Sequence, residues 1–296
     1  MHFLKTLFGI AAALIMTFAA TAPSSAAEKK ITIVAAENFY GDVAQQIGGD
    51  RVAVTSVLGN PDQDPHLFET TPSLVRQIAA ANVVIYNGAA YDPWMEKLLT
   101  VSTAPGRAVI VVADLVHKNG GADPHIWYDP PTMPAVATAL ATTLSTIDPA
   151  HGDDYAARLK TFLASLAPLH AKITAIADKY AGAPVTATEP VFGYMAAALR
   201  LTMRNTSFQR AVMNNTEPSA RDLGRFEADL KAHKVRVMFY NTQAADRLVR
   251  RLVDLARAAN VPVVGVTETC PPGLTYQAWM LDQLEATEKA LAGPAS

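Results

Sequence analysis

The tripeptide Asp-Pro-His occurs twice in the chain, as Asp64-Pro65-His66 and as Asp123-Pro124-His125. Proline fixes its own φ and drives the residue before it towards an extended conformation, so each imidazole is presented from a stiff turn. Stiffly held imidazoles are what a metal ion requires of its ligands. Asp-Pro is also an ordinary turn dipeptide, and on that reading each histidine is a surface passenger. Two acids in the second half raise the same question: Glu189 closes the β-rich run 185–188, and Glu268 closes the run 263–267. Imidazole nitrogen with carboxylate oxygen suits Mn²⁺, Fe²⁺ or Zn²⁺, whereas Ca²⁺ and Mg²⁺ take all-oxygen shells. Taken singly, each acid also reads as a solvated loop carboxylate. Spacing alone does not bring the four residues together. A thiolate-rich site is excluded, because Cys270 is the only cysteine.

The elements that must position these side chains alternate along the chain. Runs 31–35, 52–58, 83–86 and 108–113 read as strands, with helical patterns between them that include 39–47 and a segment started by Thr71-Pro72. This is βαβα order, which predicts an α/β fold with a parallel sheet covered by helices. Both Asp-Pro-His copies fall in loops at the carboxyl ends of strands, where ligands of open α/β sheets gather. Residues 131–147 read as a helix. Residues 153–180 read as one long amphipathic helix through Leu159, Phe162, Leu163, Leu166, Leu169, Ile173 and Ile176, kinked at Pro168. At 1.5 Å per residue such a helix is roughly 40 Å long, a rigid connector between two lobes. After Gly182 the alternation resumes, with strands at 185–188, 235–240 and 261–266 and helices at 192–199, 245–259 and 275–291. The expected organisation is a signal peptide at 1–27, an N-terminal lobe at 28–150, a linking helix at 151–181 and a C-terminal lobe at 182–296.

The first residues read as an address for export: His2 and Lys5 precede an apolar run over 7–20, and Ser25-Ala26-Ala27 offers small residues for cleavage. The run is shorter than the ~20 residues of a membrane span. No cysteine ends it, so the expectation is a soluble periplasmic product without a lipid anchor. A formal net charge of −2 and the absence of a basic block argue against nucleic acid as a partner. A monomer is expected.

The chain resembles the metal-specific solute-binding proteins of ABC transporters, the zinc and manganese group called cluster A-I, over essentially all of the sequence after the leader. The resemblance is carried by Asp64-Pro-His-Leu-Phe-Glu69, by Asp123-Pro-His-Ile-Trp-Tyr-Asp129 and by Glu189-Pro-Val-Phe-Gly-Tyr194, with Thr267-Glu268 where the family usually has Asp. It implies two (β/α) lobes joined by a long backbone helix, a metal site in the cleft between them, and the ligands His66, His125, Glu189 and Glu268. Asp64, Glu69 and Asp123 are candidates for orienting the imidazoles. The chain departs from the family in three places. Asn241 stands where an acid usually closes the strand at 235–240, which weakens any claim about the outer shell on that side. The His-rich acidic loop is reduced to His117-Lys118-Asn119-Gly-Gly, and Glu268 is one methylene longer than Asp. Trp127, Tyr194 and Trp279 read as packing aromatics, and His151, His170 and His233 as solvated.

The implied function is a periplasmic receptor that captures a divalent transition metal and delivers it to an ABC-type permease; it is not an enzyme. Two carboxylates with two imidazoles are harder than a three-His set, which tilts the expectation towards Mn²⁺ or Fe²⁺, although Zn²⁺ binds such sites tightly. One alternative is a periplasmic metal-dependent hydrolase, which needs an open coordination position and a general base; no His-Glu-x-x-His helix is present. The other is a receptor of the same build for a metal chelate, which needs a cleft of several hundred Å³.

Overall fold

A computed structural model describes residues 29–61, 65, 68–118, 121 and 123–293. The expected signal peptide therefore lies outside the described residues, as do Asp64, His66, Asn119 and Gly120. The first lobe runs β1 (Ile31–Glu37), α1 (Asn38–Gly48), β2 (Val52–Leu58), α2 (Pro72–Ala80), β3 (Val83–Tyr86), α3 (Pro93–Val101), β4 (Ala108–Val111), α4 (Val112–Leu115) and α5 (Thr132–Ile147). Its strands form a parallel sheet in the order β2-β1-β3-β4. The β-branched composition follows from that arrangement: all four residues of β3, Val-Val-Ile-Tyr, are buried, as strands covered on both faces require. Start signals act as expected at α2, where Pro72 opens the helix and Thr71 accepts the backbone N–H of Leu74 at 3.4 Å.

The single long helix expected at 153–180 is two helices, α6 (Gly152–Ser165) and α7 (Ala167–Tyr180), separated at Leu166. Pro168 sits in the first turn of α7, where its missing N–H costs nothing; inside a continuous helix its ring would collide with the carbonyl four residues back. Leu163 and Leu166, taken together as one apolar stripe, part company here. Leu166 is buried and Leu163 is 40% exposed. Each helix serves its own lobe, α6 packing on α1 and α5, and α7 on α12 (Tyr276–Ala292). Lys172 of α7 pairs with Glu288 of α12 at 3.0 Å.

The second lobe continues with β5 (Pro184–Ala187), α8 (Gly193–Ala198), β6 (Thr202–Arg204), α9 (Thr206–Met213), α10 (Ala220–Lys231), β7 (Val237–Asn241), α11 (Arg247–Ala258) and β8 (Val263–Val266), ending in α12. Its parallel sheet has the order β6-β5-β7-β8, the first lobe's order repeated. The chain therefore has the two-lobed α/β architecture expected. The elements β6, α9 and α10 had no counterpart in the sequence reading.

The lobes meet over aromatic rings. Phe39 of α1 lies 4.8 Å from Trp127 and 5.8 Å from Trp279 of α12, measured between ring centroids. Tyr128 contacts Phe192 at 5.6 Å and Trp279 at 5.8 Å. One hydrophobic core runs through this seam, from Ile33 and Val83 in the first lobe to Val185, Phe239 and Met280 in the second.

Candidate metal centre

His125 lies in the loop between α4 and a short 3₁₀ turn at Ile126–Tyr128. Asp123 Oδ1 accepts both its backbone N–H, at 3.1 Å, and its ring Nδ1, at 2.6 Å. With Nδ1 engaged, Nε2 is the nitrogen presented to the cleft. The loop is fastened from below by Asn87, just past β3, whose Nδ2 donates to Pro124 O at 2.9 Å and whose Oδ1 accepts Tyr40 OH at 2.6 Å. Asp92 in turn accepts the backbone N–H groups of Asn87 and Gly88, at 2.7 and 2.8 Å.

From the other lobe, Glu268 places Oε2 3.5 Å from His125 Nε2, and both side chains are buried. Tyr91 OH donates to the same Oε2 at 2.9 Å. Burial disfavours a charged imidazole, yet the hydrogen bonds and charges of Asp123 and Glu268 outweigh it and raise the His125 pKa to about 10. Tyr91 stays a neutral phenol, its pKa raised well above the ordinary value by burial and then by the Glu268 charge.

Asn241 corrects the sequence reading most. Its Nδ2 donates to Glu189 Oε2 at 2.6 Å and to Glu268 Oε1 at 2.5 Å, so one amide joins the two acids. The orientation of the amide is fixed independently, because Oδ1 accepts the backbone N–H of Gln243 at 3.0 Å. The Gln243 side chain completes the arrangement: its Oε1 accepts the N–H groups of Glu268 and Thr269 at 2.7 and 3.0 Å. Asn241 thus ties the loops of this side together.

The two halves touch again at Asp123. Tyr194 OH donates to its carbonyl at 3.0 Å, and a methyl group built on Gly193 would come within 2.9 Å of Asp123 Oδ2. That close approach accounts for glycine in the Phe-Gly-Tyr segment. Lys118 spans the same seam, 4.5 Å from the Tyr194 ring centroid and 3.6 Å from Asp129 Oδ2.

Of the remaining candidates, His66 and Asp64 lie outside the described residues and Glu69 is exposed. Among the described residues, no group of three or more His, Cys, Asp or Glu is arranged to hold a metal. Asn241 stands between Glu189 and the pair His125–Glu268. Cys270 belongs to the lobe seam, its backbone N–H and carbonyl both bonded to the Asn38 side chain at 2.9 and 2.7 Å. Burial, then the Asp42 charge, raises its thiol to about 12, so it is not a ready thiolate. His151, expected to be solvated, is half-buried with Nδ1 2.7 Å from Asp148 Oδ2, whereas His170 and His233 are exposed. A cavity of about 660 Å³ adjoins Glu189 and Gln243, but only second-lobe residues line it, and His125, Tyr91 and Glu268 are not on its wall. Among the described residues, no helix is long and apolar enough to cross a membrane.

Residues 33–290 match the family model for ZnuA, described as zinc-uptake complex component A, periplasmic. The metal ABC transporter substrate-binding lipoprotein ScbA of Streptococcus cristatus is 23% identical, with 89% of each chain covered. The manganese-binding lipoprotein MntA of Bacillus subtilis is 28% identical over 52% of this chain and 54% of its own. Among solved structures, the periplasmic zinc-binding protein TroA from Treponema pallidum superposes with a TM-score of 0.75 at 21% identity, covering 89% of this chain and 99% of that one. These relatives overturn one expectation. ScbA and MntA are lipoproteins, so the unanchored, soluble location inferred from the leader is corrected. The expectation rested on the lack of a cysteine after the apolar run, in a stretch that lies outside the described residues.

Proposed function

The chain belongs to the ZnuA family, the periplasmic component A of zinc-uptake complexes, and on that premise we propose that it captures Mn²⁺ or Zn²⁺ between its lobes and delivers the ion to an ABC-type membrane permease. Proteins of this family are substrate-binding components of transporters and not enzymes. The observation that carries the reading is the meeting of His125 Nε2 and Glu268 Oε2 at 3.5 Å, one from each lobe and both buried. An imidazole and a carboxylate removed from water and aimed at one point are costly to bury unless a cation or proton joins them. We assign His66, His125, Glu189 and Glu268 as ligands, with Asp123 orienting His125. The protein acts as a monomer, with lobes at 28–150 and 182–296 and residues 151–181 between them.

Calorimetric titration of His66→Ala and His125→Ala with Mn²⁺ and Zn²⁺ tests the assignment. Loss of binding is expected in both; unchanged affinity for both metals would remove these histidines from the site. The cargo itself is identified by elemental analysis of protein taken from its native compartment without added metal.

A further inference from the structure

We propose that Tyr91 is a positioning residue of this site: a strained turn of the first lobe carries its hydroxyl onto Glu268 of the second and so aims that carboxylate at His125. The proposal rests on the metal-receptor reading above. Glu268 Oε2 accepts Tyr91 OH at 2.9 Å and lies 3.5 Å from His125 Nε2. A carboxylate oxygen has two lone pairs, so the phenol holds one and leaves the other for an ion. Being uncharged, Tyr91 steadies the acid without setting a positive charge where a cation must arrive, as Lys or Arg would.

The backbone that carries Tyr91 is under strain. Gly88, Ala89 and Ala90 follow one another in the left-handed region, at φ of 74°, 51° and 63°. L-residues avoid that region, and alanine has no polar side chain to compensate. Glycine fills the first place, where a Cβ would also come within 2.9 Å of Val111 Cγ1. The turn is clamped at both ends. Asp92 accepts the backbone N–H groups of Asn87 and Gly88, at 2.7 and 2.8 Å, and the Tyr91 N–H returns to the Gly88 carbonyl at 3.0 Å. Beyond it, the Tyr91 ring sits edge-on to Trp127 and His125, with centroids 4.9 and 6.1 Å away. Strain of this kind persists where the surroundings hold a side chain in one place, and it gathers at functional sites.

Packing alone does not ask for the hydroxyl, since phenylalanine would fill the same space. The O–H is used on the oxygen that faces His125. Asn241 Nδ2 holds the other oxygen, Oε1, from within the second lobe, at 2.5 Å. The carboxylate is therefore gripped from both lobes, and Tyr91 supplies the first lobe's grip with a neutral donor.

The test compares the wild-type protein with Tyr91→Phe, which removes only the hydroxyl, with Ala90→Val, and with the two combined. Ala90 is exposed, so valine there acts through the backbone: a β-branched residue fits the left-handed region worse than alanine and should loosen the turn. Zn²⁺ and Mn²⁺ affinities are measured by competition titration, and metal-free melting is followed alongside. Tyr91→Phe should weaken both ions by about 10–100-fold, the range found for residues that orient ligands. Ala90→Val should weaken them too, and adding it to Tyr91→Phe should cost nothing further, because the turn acts through the hydroxyl. Unchanged affinities in either single variant, even with a lower melting temperature, would make that residue a structural support only and overturn the proposal. So would an Ala90→Val loss that persists in the double variant. A wild-type protein that binds neither ion would instead overturn the metal-receptor reading. Should Ala90→Val melt too low to titrate, Ala90→Gly takes its place: relief of the strain should tighten both affinities, and an unchanged affinity would overturn the proposal equally.

Discussion

The two lobes have the same strand order and put the same residue types in the same places, yet use them oppositely. In the first lobe a glutamate, Glu37, ends the strand β1, and Asn87 follows β3. In the second, Glu189 follows the equivalent strand β5, and Asn241 ends β7. The first-lobe pair is turned inward: Asn87 holds Pro124 and Tyr40, and Glu37 is fully buried near Asp92. The second-lobe pair faces the cleft, where Asn241 holds Glu189 itself. Equivalent positions thus brace a loop in one lobe and link two cleft carboxylates in the other. His125 stands in a loop beyond these positions, and Asn87 fastens that loop through the Pro124 carbonyl.

The sharpest way to break this contrast is to remove the residue at which both lobes meet. Glu268→Ala deprives His125, Tyr91 and Asn241 of a shared partner. Metal affinity should fall by more than about 100-fold and stability by about 3 kcal/mol, the scale for breaking a buried charged pair. Titration and chemical denaturation measure the two effects. If Asn87 is scaffold, Asn87→Ala should cost about 1–3 kcal/mol, because it leaves the buried Tyr40 hydroxyl without its acceptor and the Pro124 carbonyl with only the N–H of Ile126. Metal affinity should fall with it, and an unchanged affinity would show that the His125 loop does not depend on Asn87.

Gly193→Ala is a milder test of the contact between lobes, crowding Asp123 Oδ2 at 2.9 Å. A loss of about 1–2 kcal/mol is expected from overpacking, read from the shift of the denaturation midpoint. The smallest effect concerns pH. Burial raises Asp92 from 3.8 to about 6, and burial with the Asp92 charge raises Glu37 well above its ordinary value. Both groups are more readily protonated in the folded protein than in the unfolded chain. Their contribution is therefore full below about pH 4 and is lost as pH rises through 6 and beyond. Glu37→Gln removes one of the two, so melting temperature should decline less between pH 5 and pH 8 than in the wild type; an identical decline would show that Glu37 does not titrate there.

Much of this architecture was legible in the chain. Strands β2 and β3 match the expected runs because Val, Ile and Tyr cluster there between clear breaks, and the start of α2 was marked by Thr71-Pro72. What escaped has physical reasons. β6 is only three residues long, and α10 hides its buried Phe226 and Leu230 among charged neighbours, which leaves little periodic signal. The break at Leu166 was foreshadowed by Pro168 as a kink, but a proline in the first turn of a helix marks a new start rather than a bend. The candidate site was half legible. Strand-end acids and Asp-Pro-His turns announce themselves by type, whereas the meaning of Asn241 depends on what faces it. An amide closing a strand says little until two carboxylates are found on its one nitrogen. The pairing of His151 with Asp148 was missed because an i, i+3 contact depends on the local turn and not on composition.

The ring-lined seam between the lobes also bears on how readily they part. A hinge that opens widely needs a boundary where little apolar surface is lost, and here Phe39, Trp127, Tyr128, Phe192 and Trp279 would all be wetted. Parting the lobes is therefore costly, and heat should melt the molecule in a single calorimetric peak.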